Sequence, residues 1–382
     1  MEDEGRIRRG QSCATDARDA AREFHAGVAQ PHMALVIFFC SVHYDLDTLA
    51  SEMQHLFAGI QVIGCTTAGE IGPEGYRDRT ISGASFPSGS FTAACGRMDE
   101  LQQFESIQAH TLVQDLMQRL ENQEPQADAS NSFALLLIDG LSVREEPVTR
   151  TLQNVLGTLP LVGASAGDDG RFVATHVYFD GGFHTDSALV ALVATPLPFR
   201  TFNIQHFVPT TERLVITAAD ADHRIIHEID GELALQAYSR LVGTDVANLD
   251  PIHLAETPML VVINGRNYVR SVQKVNPDGS LTLYCAIDEG VVLRLARGTD
   301  LVQNLTDAFA GIDADIGPLQ LVLGFDCIQR KMAMIQQGLA DQVEEILRDH
   351  SVTGFTTYGE QFGGLHLNQT LTGIAIGDLA ND

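Results

Sequence analysis

Lysine is almost absent from this chain, as are several features that mark common protein classes. Only Lys274 and Lys331 occur among 382 residues, and the formal net charge is −26. This charge argues against nucleic-acid binding, which needs clustered Lys and Arg to meet phosphates. No apolar run approaches the roughly 20 residues of a membrane helix, and the charged N-terminus lacks the apolar core of a secretory signal. We therefore predict a soluble, cytoplasmic protein without a membrane span.

Common metal and redox motifs are also missing. The six cysteines form no C-x-x-C pair, which argues against a structural zinc site and a thioredoxin-like site. No C-x-x-C-H sequence occurs, so covalent haem attachment is excluded by pattern. The thirteen histidines include no H-E-x-x-H sequence.

The length predicts roughly two domains, because a single hydrophobic core seldom grows to this size. We predict a polar or helical lead-in over residues 1–31, an N-terminal domain over 32–225 and a C-terminal domain over 226–377. Prolines that interrupt the strand pattern mark the region of the boundary, namely Pro196, Pro198 and Pro209.

Two segments of the chain are diverged copies of one another. Residues 49–86 and 339–376 align without a gap and share ten identities, which in the first copy are Leu49, Ala50, Val62, Gly64, Thr66, Thr67, Gly69, Glu70, Thr80 and Gly83. A Gly-x-Thr-Thr-x-Gly-Glu sequence is thus used twice, 290 residues apart. Such repetition indicates a repeated supersecondary unit.

A weaker copy lies between these two, so in chain order it is the second copy, and residues 49–86 and 339–376 are the first and third copies. It has strand-like runs at residues 133–138 and 187–193, a helix opened by Glu146-Pro147, and a shortened turn at residues 163–168. Each copy reads as strand, helix, strand, turn, strand. The pattern predicts an α/β (mixed α+β) two-domain chain of repeated strand-helix-strand units, with mixed sheets flanked by helices.

The repeated turn is the first candidate ligand site. Its glycines would leave backbone amides approachable, its threonines add hydroxyls, and each copy ends in one carboxylate. The candidate residues are Thr66, Thr67, Gly69, Glu70, Thr356, Thr357, Gly359 and Glu360. The alternative is structural: threonines and glutamate cap the turn, and the glycines supply positive φ.

Differences between the copies single out further residues. Tyr358 stands where the first copy has Ala68, so it could stack on a ligand or pack internally. His366 and Asn368 lie between the turn and the last strand, close to any ligand held there. Cys65 corresponds to Phe355, which favours packing over nucleophilic catalysis.

These residues resemble a known family, the FIST domain. Its N-terminal half is matched at residues 62–71 and 163–168, and its C-terminal half at residues 269–272, 288–290, 354–360 and 368–373. Within the family, residues 323–330, 358–362 and 366–370 look closer to the nitric-oxide-sensing NosP branch. The segment GGLH at residues 363–366 departs from the pattern of that branch.

The resemblance implies a bacterial sensory protein rather than an enzyme. The NosP branch implies non-covalent haem b, nitric oxide as ligand, and a partner histidine kinase or GGDEF/EAL (cyclic-di-GMP) protein. For such a haem we favour His366 as the axial metal ligand, with Tyr358 and Asn368 in the cofactor pocket. The alternative for His366 is a hydrogen-bonded structural imidazole. Ferrous haem with one axial histidine leaves its sixth position free for a gas. Homodimer formation stays open.

Two other functions are kept in view. The first is a FIST-type sensor of amino acids or other small polar ligands without haem, because the repeated turns offer acceptors and amides together. The second is an enzyme that uses a Cys65 nucleophile or an acid–base pair of Glu70 and Glu360. The sequence shows no oriented base near Cys65, so we predict a protein that is not an enzyme.

Overall fold

The computed structural model describes residues 5–245, 249, 251–263 and 265–378, so residues 1–4 of the predicted lead-in lie outside the described part. The predicted mixed α/β architecture is confirmed, as three six-stranded sheets of one design. Unit 1 contains β1 (Arg8–Ser12), α1 (Ala17–Val28), β2 (Met33–Ser41), α2 (Leu46–Leu56), β3 (Gln61–Thr67), β4 (Glu70–Gly72), β5 (Gly75–Arg77) and β6 (Ile81–Pro87).

Unit 2 is the weaker copy predicted from the sequence. Its elements are β7 (Thr92–Met98), a short 3-10 turn (Leu101–Gln103), α3 (Ser106–Gln123), β8 (Ser132–Ile138), α4 (Glu145–Leu156), β9 (Leu161–Ser165), β10 (Val177–Phe179), β11 (Gly182–His184) and β12 (Ala188–Ala194).

Unit 3 begins with β13 and is then interrupted by an inserted antiparallel sheet. The elements to the end of the insertion are β13 (Phe199–Ile204), β14 (Phe207–Asp220), β15 (Ile225–Ile229), β16 (Glu232–Leu233), α5 (Ala234–Val242), α6 (Pro251–Glu256), β17 (Met259–Ile263), β18 (Arg266–Arg270), β19 (Val272–Val275), β20 (Leu281–Leu283) and β21 (Val292–Gly298). The remainder of unit 3 is α7 (Leu301–Ile316), β22 (Leu319–Cys327), α8 (Ile328–Gln336), α9 (Ala340–Asp349), β23 (Val352–Thr357), β24 (Glu360–Phe362), β25 (Leu365–Leu367) and β26 (Leu371–Gly377).

The three units exchange hairpins in a closed cycle. In each sheet a parallel pair lies at the centre, β2–β3, β8–β9 or β22–β23, with an antiparallel return strand beside it. The hairpin that follows the turn then pairs with the next sheet: β4–β5 adds to β23, β10–β11 to β3, and β24–β25 to β9. The repeated turns are therefore the crossing points between units.

Both faces of each six-stranded sheet are covered by other parts of the protein, so the strands carry apolar residues on both faces. Their inner faces meet in one shared core, where Phe39 of unit 1 lies 4.6 Å from Phe355 and 6.2 Å from Phe325 of unit 3, between ring centroids. Helices cover the outer faces, as α3 and α4 do over β8 and β12. This double coverage explains the continuous hydrophobic runs in the sequence.

Several local predictions change. The lead-in contains a strand, β1, which pairs with β6 and completes the sheet of unit 1. The apolar spacing over residues 327–348 predicts one long helical stretch, but the structure divides it into two helices, α8 and α9. Gly64, Thr66 and Thr67, predicted as part of a turn, belong to strand β3, whose pairing to β2 extends to Thr67.

The inserted sheet packs a core of its own, in which Leu214, Ile226 and Leu293 are buried. The first strand of the inserted sheet, β14, begins at Phe207. The domain boundary expected from the sequence, at 225/226, falls inside this inserted sheet and stays a prediction. Among the described residues, every helix is too short or too polar to cross a lipid bilayer.

Candidate functional site

The repeated Gly-x-Thr-Thr-x-Gly-Glu segments bond to one another where the three units cross. Ala68 N donates to Thr356 O at 2.9 Å, and Thr356 N donates to Gly69 O at 2.7 Å. Unit 2 joins through Ser165 N, which donates to Gly359 O at 2.8 Å. The backbone amides that the sequence offered to a ligand are thus used to hold the units together.

All residues predicted to bind ligand or cofactor are buried. Both copies of the segment lie at the unit crossings, and the three further residues, Tyr358, His366 and Asn368, belong to the third copy. The full buried set is Thr66, Thr67, Gly69, Glu70, Thr356, Thr357, Gly359, Glu360, Tyr358, His366 and Asn368. Their position alone favours a structural role for the segment shared by both copies.

The second glycine of the repeated segment, Gly69 or Gly359, is needed for a different physical reason in each copy. Gly69 has φ of 122°, a backbone conformation that residues with a side chain rarely adopt. Gly359 instead gives room to His366, because a Cβ there would lie 2.7 Å from the imidazole Nε2. Conservation of a glycine between the copies therefore does not mean a shared backbone shape.

Glu70 is held in a closed hydrogen-bond network. The Thr67 hydroxyl donates to Oε1, and the Thr80 backbone N and hydroxyl donate to Oε2 at 3.0 and 2.7 Å. Burial raises the pKa of Glu70 to about 7, against the effect of these hydrogen bonds and of Lys331. Both oxygens are occupied, so the carboxyl serves to fix the crossing.

Glu360 makes only part of the hydrogen-bond network that surrounds the carboxyl group of Glu70. Thr370 donates to Oε2 from its backbone N at 3.2 Å and its hydroxyl at 2.7 Å, as Thr80 does in the first copy. The Thr357 hydroxyl bonds to Ser165 O and Gly359 O instead of to the carboxyl. Oε1 is buried with no nitrogen or oxygen partner among the described residues, and the Cys327 thiol approaches the carboxyl and favours its charged form. Burial raises the pKa of this carboxyl well above its ordinary value.

A second region, which we call the cleft, lies where units 2 and 3 meet the inserted sheet. It holds two adjoining cavities of about 520 and 560 Å³, and Phe172, Gln273 and Tyr284 line both. The Phe172 ring is stacked on Tyr358, with centroids 4.6 Å apart and an interplanar angle of 19°. Tyr284 lies 6.2 Å from Phe172. Such aromatic walls suit a flat or apolar group of a ligand.

Four of the twelve non-glycine residues with positive φ in the described chain line the cleft. Val143, Phe172 and Arg224 line the first cavity and Asp169 lines the second, and their φ values are 55°, 52°, 58° and 60°. Left-handed backbone at such residues costs on the order of 1–3 kcal/mol each. Strain of this kind persists where the surroundings enforce it, and it clusters at ligand clamps and active sites.

Asp168 builds the loop that carries Phe172. Its carboxylate accepts from Phe172 N at 2.8 Å, Val173 N at 2.6 Å and Ala174 N at 3.0 Å. The Tyr358 hydroxyl also donates to it. One buried carboxylate thus sets both the loop and the aromatic stack. Asp168 occupies in unit 2 the place that Glu70 and Glu360 occupy in the other units.

A buried ion cluster joins the inserted sheet to unit 2. Arg224 Nη2 lies 2.6 Å from Glu145 Oε2 and 2.5 Å from Glu146 Oε2. Glu146 also accepts from Ala286 N of the insertion. Burial alone would lower the pKa of Arg224, but the two carboxylates outweigh it and raise that pKa. The first turn of α4 is therefore the docking point of the inserted sheet.

His366 lies beside this ion cluster. Its Nδ1 is 3.1 Å from Gln361 Nε2, while Nε2 is buried without a hydrogen-bond partner in the described part of the chain. Burial lowers its pKa, against the charges of Glu146 and Glu145. The imidazole is therefore expected to be neutral near pH 7.

The described residues offer little support for a metal site or for Cys65 as a catalytic nucleophile. No group of three or more His, Cys, Asp or Glu is placed to hold a metal ion within residues 5–245, 249, 251–263 and 265–378. Burial raises the pKa of Cys65 well above its ordinary value, and the side chain packs in the shared core. A buried protonated thiol is a poor nucleophile.

Sequence reasoning missed most residues of the cleft. Glu145 and Arg224 are 79 positions apart, and Phe172 and Tyr284 come from a loop and the insertion. No local pattern joins them. The one available signal was Glu145-Glu146 before Pro147, which marked a helix start but not an ion pair.

The chain is similar to a protein known from its sequence and to one of known structure. An uncharacterized protein of Methanocaldococcus jannaschii is 22% identical over 391 aligned positions, which cover 89% of this chain and 73% of the relative. A solved structure of cyanuric acid hydrolase aligns over 97% of this chain and 99% of its own, at 9% identity and a TM-score of 0.35.

Family models identify both halves of the chain. The FIST N domain matches residues 34–232, and the FIST C domain matches residues 234–363. FIST domains are signal-sensing domains. The chain therefore belongs to the FIST family.

Proposed function

We propose that this protein is a sensor of a small polar ligand that carries a flat group, and that the ligand binds in the cleft. The observation that carries this proposal is the coincidence of the Phe172–Tyr358 stack with four left-handed residues around two adjoining cavities. A flat group would lie against the aromatic rings. Its polar atoms would meet the hydrogen-bonding groups of Gln273 and Tyr284.

The cleft is suited to transmit binding because three parts of the chain form it. Phe172 belongs to unit 2, Tyr358 to unit 3 and Tyr284 to the inserted sheet. A ligand that binds one arrangement of these parts more tightly than another shifts the balance between them. A partner histidine kinase or GGDEF/EAL protein would read that shift, as the resemblance implies, in the cytoplasm and with the sensor as monomer or homodimer.

Ligand screening by thermal unfolding tests this proposal. Amino acids and other small polar metabolites are added to the full-length protein, and the unfolding midpoint is measured. A ligand of the cleft raises the midpoint of wild type and of Ile107→Ala, an exposed position on α3. It gives no shift in Phe172→Ala or Gln273→Ala. Equal shifts in all four proteins would show that the ligand binds elsewhere.

Haem and nitric-oxide binding stay a narrower prediction from the resemblance. The atom that would coordinate iron is His366 Nε2, which lacks a hydrogen-bond partner among the described residues. However, His366 is only 3% exposed, and Gly359 lies against the Cε1–Nε2 edge of its ring. This packing does not fit a haem, which needs that edge open to a flat macrocycle.

Absorption spectroscopy decides the haem prediction. Protein incubated with haemin is reduced, and spectra are taken with and without nitric oxide. A Soret band that shifts with the gas, and changes in His366→Ala, would establish the haem sensor. Stabilisation by polar metabolites without a Soret shift would leave the cleft as the sensing site.

A further inference from the structure

A β-bulge in the inserted sheet lies beside the second cavity of the cleft, the one of about 560 Å³. In the pairing of β19 with β20, Val272 is opposite Leu283. Lys274 is opposite Thr282, the next residue back along β20, so Gln273 is an extra residue in β19. Consecutive side chains of a regular strand point to opposite faces, whereas a bulge re-aims them. Gln273 and Lys274 accordingly both line the second cavity.

Helix α8 holds β19 at this bulge. Gln329 is 4% exposed, and its Nε2 donates to Val272 O at 3.1 Å, immediately before the extra residue. Gln329 also lines the second cavity, so its buried side chain fixes the bulge where the cavity wall is formed. Bulges are over-represented next to active sites, where they set the direction of a side chain. The packing of a helix on a strand therefore positions Gln273 and Lys274.

Lys274 is a cation without a partner. It is exposed, and its ammonium group makes no hydrogen bond or ion pair with the residues that the structure describes. The other lysine of the chain, Lys331, is paired with Asp78 at 2.7 Å. Asp169, the second charged residue of the described chain that lines this cavity, lies 2.9 Å from His43 Nε2. The ammonium group of Lys274 is thus available to an anionic group of a ligand.

The second cavity combines available donors with an apolar wall. Aromatic and aliphatic side chains form much of that wall, namely Phe172, Tyr284, Ile328 and Met332. Such side chains favour a flat ring over a polar group. The side-chain amide of Gln273 makes no hydrogen bond within the described residues, so it is a second donor beside the ammonium group of Lys274.

A carboxylate suits these two donors. Both of its oxygens accept hydrogen bonds, so one carboxylate can meet the Lys274 ammonium and the Gln273 amide together. A cationic group would be repelled by Lys274 at the same place. The net charge of −26 disfavours anions at long range, but salt screens exposed charges beyond about 8 Å. The nearest cation therefore decides which ligand charge is preferred.

We propose that the second cavity binds the carboxylate of a flat-ring acid, with Lys274 as its counter-charge and Gln273 as a second donor. This inference rests on the proposed function, because it names the class of ligand that the cleft takes. It adds a charged contact, which the aromatic stack and the left-handed residues do not supply.

Calorimetry on the full-length protein compares ligands that differ in one property, near about pH 7.5, where carboxyl groups are ionised. Phenylacetate and indole-3-acetate are each compared with their primary amide, which keeps the ring and removes the charge. Cyclohexylacetate keeps the carboxylate of phenylacetate and replaces its flat ring by a puckered one. Each aromatic carboxylate is expected to bind at least about tenfold more tightly than its amide, because the amide lacks the charge-assisted contact. Phenylacetate is expected to bind more tightly than cyclohexylacetate.

Substitution of the two lysines supplies a matched pair of variants. Lys274→Met removes the charge and keeps the length of the side chain, and is expected to weaken carboxylate binding at least about tenfold. Lys274→Arg restores the charge and should bind within about threefold of wild type. Lys331→Met removes a lysine that lines neither cavity, and should leave binding within about twofold. Far-UV circular dichroism verifies that each variant is folded.

The outcomes separate this inference from the proposed function. Equal affinity for acid and amide, unchanged binding in Lys274→Met, or equal losses in Lys274→Met and Lys331→Met would each overturn the carboxylate assignment. Failure of both aromatic carboxylates to bind would also overturn it. If neither carboxylate binds but a neutral or cationic metabolite binds wild type and not Phe172→Ala, this inference fails while the proposed function stands. If every ligand found binds Phe172→Ala as it binds wild type, both fail.

Discussion

The first and third copies of the repeat have the same fold and differ in how their polar groups are satisfied. In the first copy, Thr67 and Thr80 occupy both oxygens of Glu70. In the third copy, Thr370 occupies one oxygen of Glu360, and the other is buried without a partner in the described chain. One copy is a closed structural joint, whereas the other leaves a buried carboxyl oxygen without a nitrogen or oxygen partner in the described chain.

The difference shows which residues of a duplicated segment are informative. Shared glycines, threonines and glutamates maintain the crossings between units, so their presence in both copies reports on the fold. The residues at positions 358, 366 and 368 are Tyr, His and Asn in the third copy, and Ala68, Tyr76 and Asp78 in the first. The candidate ligand contacts lie at such unshared positions.

The largest effect is expected where both copies depend on a glycine for close approach of strands. A Cβ at Gly354 would overlap Gly324 O, whereas one at Gly64 would lie 2.5 Å from Phe38 O. Gly354→Ala should cost about 3 kcal/mol or more of unfolding free energy, and Gly64→Ala less, because overpacking against backbone cannot relax. Urea unfolding measures both. Equal small losses would contradict a shared scaffold role.

A pH effect of similar size is expected at Glu70. Its folded pKa of about 7 lies above the ordinary 4.5, so the folded state keeps a proton that the unfolded state has released. The contribution of Glu70 to the free energy of unfolding is therefore largest below about pH 4.5. It falls by on the order of 3 kcal/mol as the pH rises toward 7. Urea unfolding between pH 4.5 and 8 should show the fall in wild type and not in Glu70→Gln. A constant difference between the two proteins across this range would refute the assignment.

A smaller contrast is expected between Tyr76 and His366, which occupy equivalent positions. Tyr76 donates to buried Asp326, so Tyr76→Phe leaves that acceptor short of a partner and should cost about 1–3 kcal/mol. His366→Leu removes Nε2, which has no partner in the described structure, and Nδ1, whose partner Gln361 also donates to Ser165. It should cost less than about 1 kcal/mol. Chemical denaturation of the two variants decides the order. The reverse order would mean that His366 carries structural weight.

The smallest effect is expected at Asp78, the counterpart of Asn368. Its carboxylate pairs with Lys331 Nζ at 2.7 Å, but its side chain is 63% exposed. Solvent screens such a pair, so Asp78→Ala should change stability by less than about 1 kcal/mol. Thermal unfolding at low and high salt measures it. A larger, salt-independent loss would show that the first copy also depends on this position.

Much of the fold followed from the sequence. The ungapped repeat predicted equivalent units, and the apolar run at residues 133–138 predicted a strand, which β8 confirms. The weak unit 2 copy was visible because its strand, helix and shortened turn keep the order of the others. Two helices were read as one at residues 327–348, because both apolar patterns continue through Gly338 without a proline.

The sequence by itself determined the repeated unit, its strand and helix order and its family, because these depend on local hydrophobic pattern and on residues that every copy needs. Only the tertiary structure decided how the units exchange hairpins, which carboxyl groups are satisfied, and where the cleft lies. The physical reason is that those features depend on contacts between distant residues. Arg224 meets Glu145, and Tyr358 meets Phe172, only after all three units and the insertion have packed.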